Sequence, residues 1–161
     1  MAFTPGAVWR TMAPPNLNFW LIAKVSMFSS LFTEITFYAM HRIMHMKKSK
    51  NPIVKYLCKC HKIHHMVDSR QLKSHDAVRV HFVETIFNVI GILGGPLLMG
   101  CHPMVTLSSF TFTVANAFIS HTDYFDFHNS NHILHHKRSD CNYGLTGMMD
   151  YIFGTGRTES K

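Results

Sequence analysis

The alternation of apolar and basic stretches along the chain is the feature that most restricts its fold. Two apolar stretches, Leu17–Met40 and Phe82–Ser120, are separated and followed by two basic stretches, 42–79 and 137–161. The basic stretches hold 14 of the 16 Lys and Arg residues of this 161-residue chain. Because apolar runs of this length must be removed from water, they predict helices that lie in a membrane or in the core of a single domain, 1–161.

The first apolar stretch is long enough to cross a bilayer. As an α-helix it would measure about 36 Å, against roughly 30 Å for a hydrocarbon core. It contains Lys24 and Glu34, so it is not a purely apolar span. We predict a membrane-embedded helix over 17–40.

The second apolar stretch is long enough for two helices. It carries no Lys or Arg and a single carboxylate, Glu84, and the sequence Gly-Cys-His-Pro at 100–103 predicts a break. The sequence Gly-Gly-Pro at 94–96 predicts a kinked or shortened first half. We predict membrane-embedded helices over 82–120, either as two crossings or as a shallow hairpin; buried helices of a soluble domain are the alternative.

Charge predicts the orientation of these helices. Since Lys and Arg collect on the cytoplasmic side of membrane helices, both basic stretches are expected there. The predicted fold class is all-α: an integral membrane helical bundle with a cytoplasmic-side helical cap formed by 41–80 and 121–156. Anionic lipid headgroups account for the positive charge, so no nucleic-acid partner is expected.

Histidines recur in the predicted cap at helical spacing. The sequences HRIMH (41–45), HKIHH (61–65) and HILHH (132–136) place histidines three and four residues apart, which predicts that the imidazoles of each pattern share one helical face. Protonated imidazoles would repel one another, whereas neutral ones are metal ligands. The predicted ligands are His41, His45, His61, His64, His65, His132, His135 and His136.

The number and type of these ligands restrict the metal. Eight imidazoles exceed the needs of one ion, so two ions are expected. Zinc hydrolases normally add a carboxylate base, and the chain has no His-Glu-x-x-His sequence. A site rich in imidazole and poor in carboxylate suits iron, although zinc accepts the same ligands.

The successive motifs resemble those of the fatty acid hydroxylase/sterol desaturase superfamily. The resemblance covers about residues 30–156 and is carried by YAMHRIMH (38–45), HKIHH, HFVET (81–85), NHILHHKRSDCNYG (131–144) and MDYIFGT (149–155). Phe82 stands where the family usually has Pro, and members usually carry further membrane helices before the first motif.

The resemblance implies an enzyme. Members are integral membrane, non-haem di-iron oxidoreductases, in eukaryotes usually of the endoplasmic reticulum. They use O2 and two electrons to hydroxylate or desaturate sterols, fatty acyl chains or related lipids. It implies that the eight motif histidines hold two iron ions on the cytoplasmic side and that electrons come from a separate donor, such as a cytochrome b5 or a reductase. A non-catalytic metal-binding relative and a di-zinc hydrolase are the alternatives.

Other residues are candidates for the site. His121 and His128 are further candidate ligands, since His121 ends an apolar stretch and His128 precedes His132 by four residues. His81 is expected to support the site through a hydrogen bond to Glu84. The resemblance implies that four residues orient imidazole N–H groups or otherwise support the ligands, namely His81, Glu84, Asn142 and Asp150.

Overall fold

The structure is a computed structural model that describes residues 19–67, 72–122 and 126–158. Within these ranges the chain forms helices and no strands, as predicted. The start of the first apolar stretch, Leu17 and Asn18, lies outside the described residues. The α-helices are α1 (Phe19–Met44), α2 (Pro52–Lys62), α3 (Phe82–Leu98), α4 (Pro103–Ser120), α5 (Asp126–Arg138) and α6 (Met148–Ile152). Two 3₁₀ turns, His64–Met66 and Ser74–Val78, lie between α2 and α3.

Local sequence explains where the helices begin. The Asn51 side chain accepts hydrogen bonds from the backbone N–H groups of Ile53 and Val54, and Pro52 opens α2, where a missing N–H costs nothing. His102 and Pro103 repeat this arrangement at the start of α4. The break predicted at 100–103 is therefore confirmed, whereas α3 is not shortened at Gly94–Pro96 and runs on to Leu98.

Helices α1 and α3 pack closely through small residues. The Thr33 hydroxyl donates to the carbonyls of Ser29 and Gly91, at 2.8 and 3.1 Å. A Cβ at Gly95 would lie only 2.7 Å from the Cα of Ser29, so only glycine permits this approach. The contact joins the middle of α1 to the C-terminal half of α3 in antiparallel order, and the end of α1 therefore lies beside the start of α3.

Most large apolar side chains on these helices face outward. Trp20, Met27, Leu98 and Phe112 are each at least two-thirds exposed. Within the described residues, no helix combines the length and the apolarity needed to cross a membrane. The buried side chains of the described residues, by contrast, include twelve polar groups, and five of these are histidines.

Candidate metal centre

Nine histidines converge in two groups where α1, α2, α4 and α5 meet. The first, the five-histidine cluster, consists of His41, His45, His61, His65 and His135. The second, the four-histidine cluster, consists of His64, His121, His132 and His136. In each group one ring nitrogen of every member lies within 4.8 Å of those of all the others. All eight motif histidines are thus brought together, and His121 joins them.

Distances within the five-histidine cluster match a shared metal ion. The Nε2 atom of His61 lies 2.9 Å from Nε2 of His45 and 3.0 Å from Nε2 of His65. The Nε2 atoms of His65 and His135 are 3.1 Å apart. Two nitrogens bound to one ion at about 2.1 Å lie roughly 3.0–3.4 Å apart, so these spacings fit coordination.

The four-histidine cluster has the same geometry. Nε2 of His121 lies 3.3 Å from Nε2 of His64 and 3.1 Å from Nε2 of His132. The Nε2 atoms of His132 and His136 are 3.2 Å apart. Each cluster therefore offers convergent nitrogen donors that could hold one metal ion.

The His-x-x-His-His patterns divide between the two clusters. His61 and His65 belong to the five-histidine cluster, but His64 belongs to the other. His132 and His136 share the four-histidine cluster, but His135 belongs to the other. On a helix, a residue four positions on is offset by about +40° and one three positions on by about −60°, so the two aim apart. The prediction that the histidines of one pattern stay together is therefore confirmed for His41 and His45, and it is wrong for the two His-x-x-His-His patterns.

Hydrogen bonds on the outer ring nitrogens orient four of the imidazoles. The acceptor of His61 Nδ1–H is the Glu84 carboxylate, at 2.8 Å. The other three donate to backbone carbonyls: His41 to Tyr143 at 2.7 Å, His135 to Cys141 at 2.6 Å and His121 to Ala117 at 2.8 Å. Since these acceptors require the proton on Nδ1, each neutral ring turns an unprotonated Nε2 inward.

Burial lowers the pKa of eight of the nine clustered rings and so keeps them neutral. Loss of hydration, with repulsion from neighbouring imidazoles, lowers the pKa from 6.5 to about 2 in His45 and His136 and about 3 in His64. Burial also lowers the pKa of His135 to about 4, where the Cys141 carbonyl opposes the shift. At neutral pH the clusters therefore present lone pairs instead of positive charge.

Asp150 and Asn142 support the loop that accepts from His41 and His135. Asp150 accepts from the backbone N–H groups of Tyr143 and Gly144, at 2.8 and 2.7 Å. Asn142 Nδ2 donates to the carbonyls of Asn131 and Arg157, and its Oδ1 accepts from the Arg157 N–H. Both side chains therefore bind main chain, and the expectation that they contact imidazole N–H groups is corrected.

His81 differs from expectation, whereas Glu84 contacts an imidazole N–H group as expected. His81 caps α3, where its Nδ1 accepts from the Val83 N–H, while Glu84 pairs with His61 instead of His81. His128 lies in α5, but its side chain is outside the described residues. His75, which lies outside the motifs, is exposed.

Glu34 is the residue that sequence reasoning missed. It is buried in α1 and accepts from the N–H groups of Leu145, Thr146 and Met149. A signal was present, because a carboxylate inside an apolar helix requires a partner. The roles of the Cys141 and Tyr143 carbonyls could not be recognised from the sequence, because every residue has a backbone carbonyl.

Comparison with known proteins identifies the class. The family model described as fatty acid hydroxylase matches residues 26–155, so the chain belongs to that family. It is 28% identical over 144 residues to "Fatty acid hydroxylase domain-containing protein 2" of Homo sapiens, covering 84% of this chain. It is 31% identical over 132 residues to "Fatty acid hydroxylase ahd1" of Mycosarcoma maydis, covering 80% of this chain.

The matches cover only part of the length of these relatives. They span 39% of the human protein and 32% of the fungal one, so this chain corresponds to well under half of either relative. No solved structure matches the chain. The superfamily expected from the motifs is nevertheless confirmed, since the family match includes all eight motif histidines.

Proposed function

We propose that this chain forms the metal centre of a membrane-bound, O2-dependent lipid hydroxylase or desaturase that holds two iron ions. The observation that carries the proposal is the convergence of nine imidazoles into two separate clusters. Family membership supports the reaction class, and the relatives are named as fatty acid hydroxylases. The lipid would be a fatty acyl chain, a sterol or a related molecule.

The residues present fit the proposed metals. The five-histidine cluster would hold one ion and the four-histidine cluster the other. His41 supports the fit, because its Nε2 is buried and lacks a hydrogen-bond partner while its Nδ1 is bonded outward. A redox-active pair such as iron, when bound, supplies the O2 activation that an unactivated C–H bond requires.

The chain's own part is to shield the clusters from water. A small cavity beside His41 has apolar walls formed by Phe37, Met40 and Met44. Glu84 and Asn88 complete its lining. The cavity encloses only about 10 Å³, room for about one water molecule, so this face of His41 is shielded from bulk solvent.

Exposed apolar side chains support a membrane setting. Large residues such as Met27, Leu97 and Phe112 face outward on α1, α3 and α4, where lipid would cover them. We propose that the protein is embedded in a membrane, that of the endoplasmic reticulum in a eukaryote, with the metal centre on the cytoplasmic side. The basic character of the segment beside the clusters supports that side.

A basic surface beside the five-histidine cluster supports a protein electron donor. Residues 41–67 contain no Asp or Glu, and six exposed lysines lie there, namely Lys47, Lys48, Lys50, Lys55, Lys59 and Lys62. An acidic donor such as a cytochrome b5, or a reductase, would be attracted to this surface. Its affinity should therefore decrease as salt is added.

Two other functions predict different results. A di-zinc hydrolase would need a carboxylate free to act as a base, but the clusters are built from histidine, and Glu84 is bonded to His61. A non-catalytic metal-binding relative would bind the ions and leave lipids unchanged. Product analysis distinguishes both from the proposed enzyme.

The test is the lipid composition of cells that express the full-length chain. The wild type should generate a lipid that has gained one oxygen atom or lost two hydrogen atoms, in an O2-dependent manner. His64→Ala, which removes a member of the four-histidine cluster, should abolish that product. His75→Ala is the matched control and should retain it, because His75 is exposed and outside both clusters. An unchanged lipid profile in the wild type would contradict the proposal.

A further inference from the structure

Glu34 is a buried carboxylate in the middle of an apolar helix. Its residue is only 2% exposed, and no Lys or Arg in the described ranges forms an ion pair with it. Backbone groups supply its partners instead: Oε2 accepts from the N–H groups of Leu145 and Thr146, both at 3.0 Å, and Oε1 accepts from that of Met149 at 3.4 Å. Burying a charge in this way is costly, so its partners indicate what it does.

Those partners lie in the segment 141–149, which we name the cradle loop. Its carbonyls face the imidazoles: Cys141 accepts from His135 and Tyr143 from His41. Its N–H groups face carboxylates, those of Tyr143 and Gly144 meeting Asp150. The loop is therefore held by acids on one side and orients histidines on the other.

Gly144 shows how tightly the acids close on the loop. A Cβ at this position would lie 2.6 Å from Oε1 of Glu34 and 2.9 Å from Oδ2 of Asp150. A larger residue would force the loop and these carboxylates apart. Glycine therefore allows carboxylates from α1 and from α6 to approach the loop together.

Glu34 and His41 both form hydrogen bonds with this loop, and both lie on α1. They are seven residues apart on α1, which is about two turns, so both project from one face. His41 donates to the Tyr143 carbonyl at 2.7 Å, and Glu34 binds the N–H groups that follow at 145 and 146. The Tyr143 carbonyl orients the His41 ring. The position of this carbonyl relative to α1 is thus fixed by a second contact with α1, through Glu34.

We propose that Glu34 is a positioning residue for the five-histidine cluster. It holds the cradle loop so that the Tyr143 carbonyl keeps His41 Nδ1 protonated and His41 Nε2 directed inward. This inference rests on the proposed function, because it assumes that the cluster binds metal. It adds a residue that lies outside the histidine motifs and contacts neither cluster.

The effect should be selective for one cluster. His41 and His135, which donate to the cradle loop, both belong to the five-histidine cluster. In the four-histidine cluster, His121 donates to Ala117 on α4 instead. Loosening the loop should therefore weaken one metal site and spare the other, which a general loss of stability would not do.

The experiment is a zinc titration of metal-free, full-length protein against a chromophoric chelator. Glu34→Gln places an amide N–H₂ among N–H donors, so it should weaken one of two binding steps about 10–100-fold and leave the other unchanged. Thr33→Val is the matched control: it removes the neighbouring hydroxyl bond to Gly91 and perturbs α1 packing without touching the loop. It should leave both steps unchanged.

Two further measurements separate positioning from folding. Amide hydrogen exchange in 143–150 should accelerate in Glu34→Gln, while exchange in 61–66 stays slow. Combining Glu34→Gln with His41→Ala should add no further loss at the weakened step, because both act through one ring. If Glu34→Gln fails to fold, Gly144→Ala provides the same test from the loop side, since its Cβ displaces the loop while Glu34 remains.

The outcomes distinguish the inference from the function on which it rests. Two zinc steps in the wild type with no change in Glu34→Gln, or equal weakening of both steps, would overturn the positioning role alone. A wild-type protein that binds no metal would overturn both. Selective weakening with faster exchange in the cradle loop is the result expected.

Discussion

Glu84 Oε1 lies 2.8 Å from Nδ1 of His61, and both side chains are buried. Because the carboxylate accepts a hydrogen bond from Nδ1–H, Nε2 of His61 is unprotonated and faces the Nε2 atoms of His45 and His65. A single residue near the start of α3 thereby fixes a ring at the end of α2. The apolar helix α3 is tied to the candidate metal centre by this pair.

Removing the carboxylate should weaken one metal site. In Glu84→Ala, His61 loses the acceptor that sets its tautomer, so the affinity of the five-histidine cluster for zinc should fall about 10–100-fold. Chelator competition on the purified protein measures this directly. Thr85→Ala, the next residue on α3, should bind as the wild type does because its hydroxyl contacts only the His81 carbonyl. Identical curves for all three proteins would exclude a role for Glu84 in ligand orientation.

Loss of a central ligand should abolish activity without removing the protein from the membrane fraction. His135 is completely buried, with Nε2 3.1 Å from that of His65 and Nδ1 bonded to Cys141. His135→Ala should reduce lipid oxidation to background and lower the metal content, since no other donor replaces this nitrogen.

The control for this variant is His75→Ala, which alters an exposed ring outside both clusters. Product formation and elemental analysis should match the wild type. Some thermal destabilisation of His135→Ala is expected, because metal binding contributes to folding. Turnover near the wild-type level in His135→Ala would show that the five-histidine cluster is not the reactive centre.

The metal-free protein should lose stability in mild acid. The unfolded chain protonates its histidines near pH 6.5, whereas the folded protein holds the pKa of His135 at about 4 and those of His45 and His64 lower. Between these values the unfolded state binds more protons, so the free energy of unfolding falls as pH decreases below 6.5. Each such histidine contributes a slope of up to about 1.4 kcal/mol per pH unit.

Thermal unfolding of the chelator-treated protein at several pH values between about 7.5 and 5 measures this dependence. Added zinc should raise the unfolding temperature most at the upper end of the range, where the rings need not lose protons to bind it. An unfolding temperature that stays constant or rises in acid would show that the rings are not held neutral by the fold.

Both basic stretches should face the same side of the membrane. Cysteines introduced at Ser49 and Lys137 should react with a membrane-impermeant maleimide from the same side of sealed vesicles. The reason is that the histidines after Ser49 and those before Lys137 meet in the same two clusters. The unsubstituted chain, with its four native cysteines, gives the background. Labelling of the two positions from opposite sides would contradict the proposed topology.

Most of the clustered histidines could be predicted from the sequence because side chains form the clusters. Three histidine patterns at helical spacing were enough to name eight of the nine clustered residues, and position at the end of an apolar stretch made His121 a candidate. The partition into two clusters was not predicted. It depends on the angular offset between the third and fourth positions and, at His64, on a 3₁₀ turn that replaces the α-helix.

The supporting contacts were predicted less well because they use the main chain. His41 and His135 donate to backbone carbonyls, and these cannot be recognised from residue type because every residue has one. Asp150 was expected to orient an imidazole N–H group or otherwise support the ligands, and its partners are N–H groups and the Thr155 hydroxyl. Such partners become apparent only when the loop conformation is known.

The division of adjacent histidines between clusters has a consequence for how far apart two bound ions can lie. His64 and His65 are consecutive residues serving different clusters, and so are His135 and His136. Their ring centroids are 5.6 and 6.0 Å apart. At two places, a single peptide bond therefore connects a member of one cluster to a member of the other and limits the distance between the clusters. If each cluster holds one ion, the two ions are linked through adjacent residues, so a shift of one helix against another would change their spacing little.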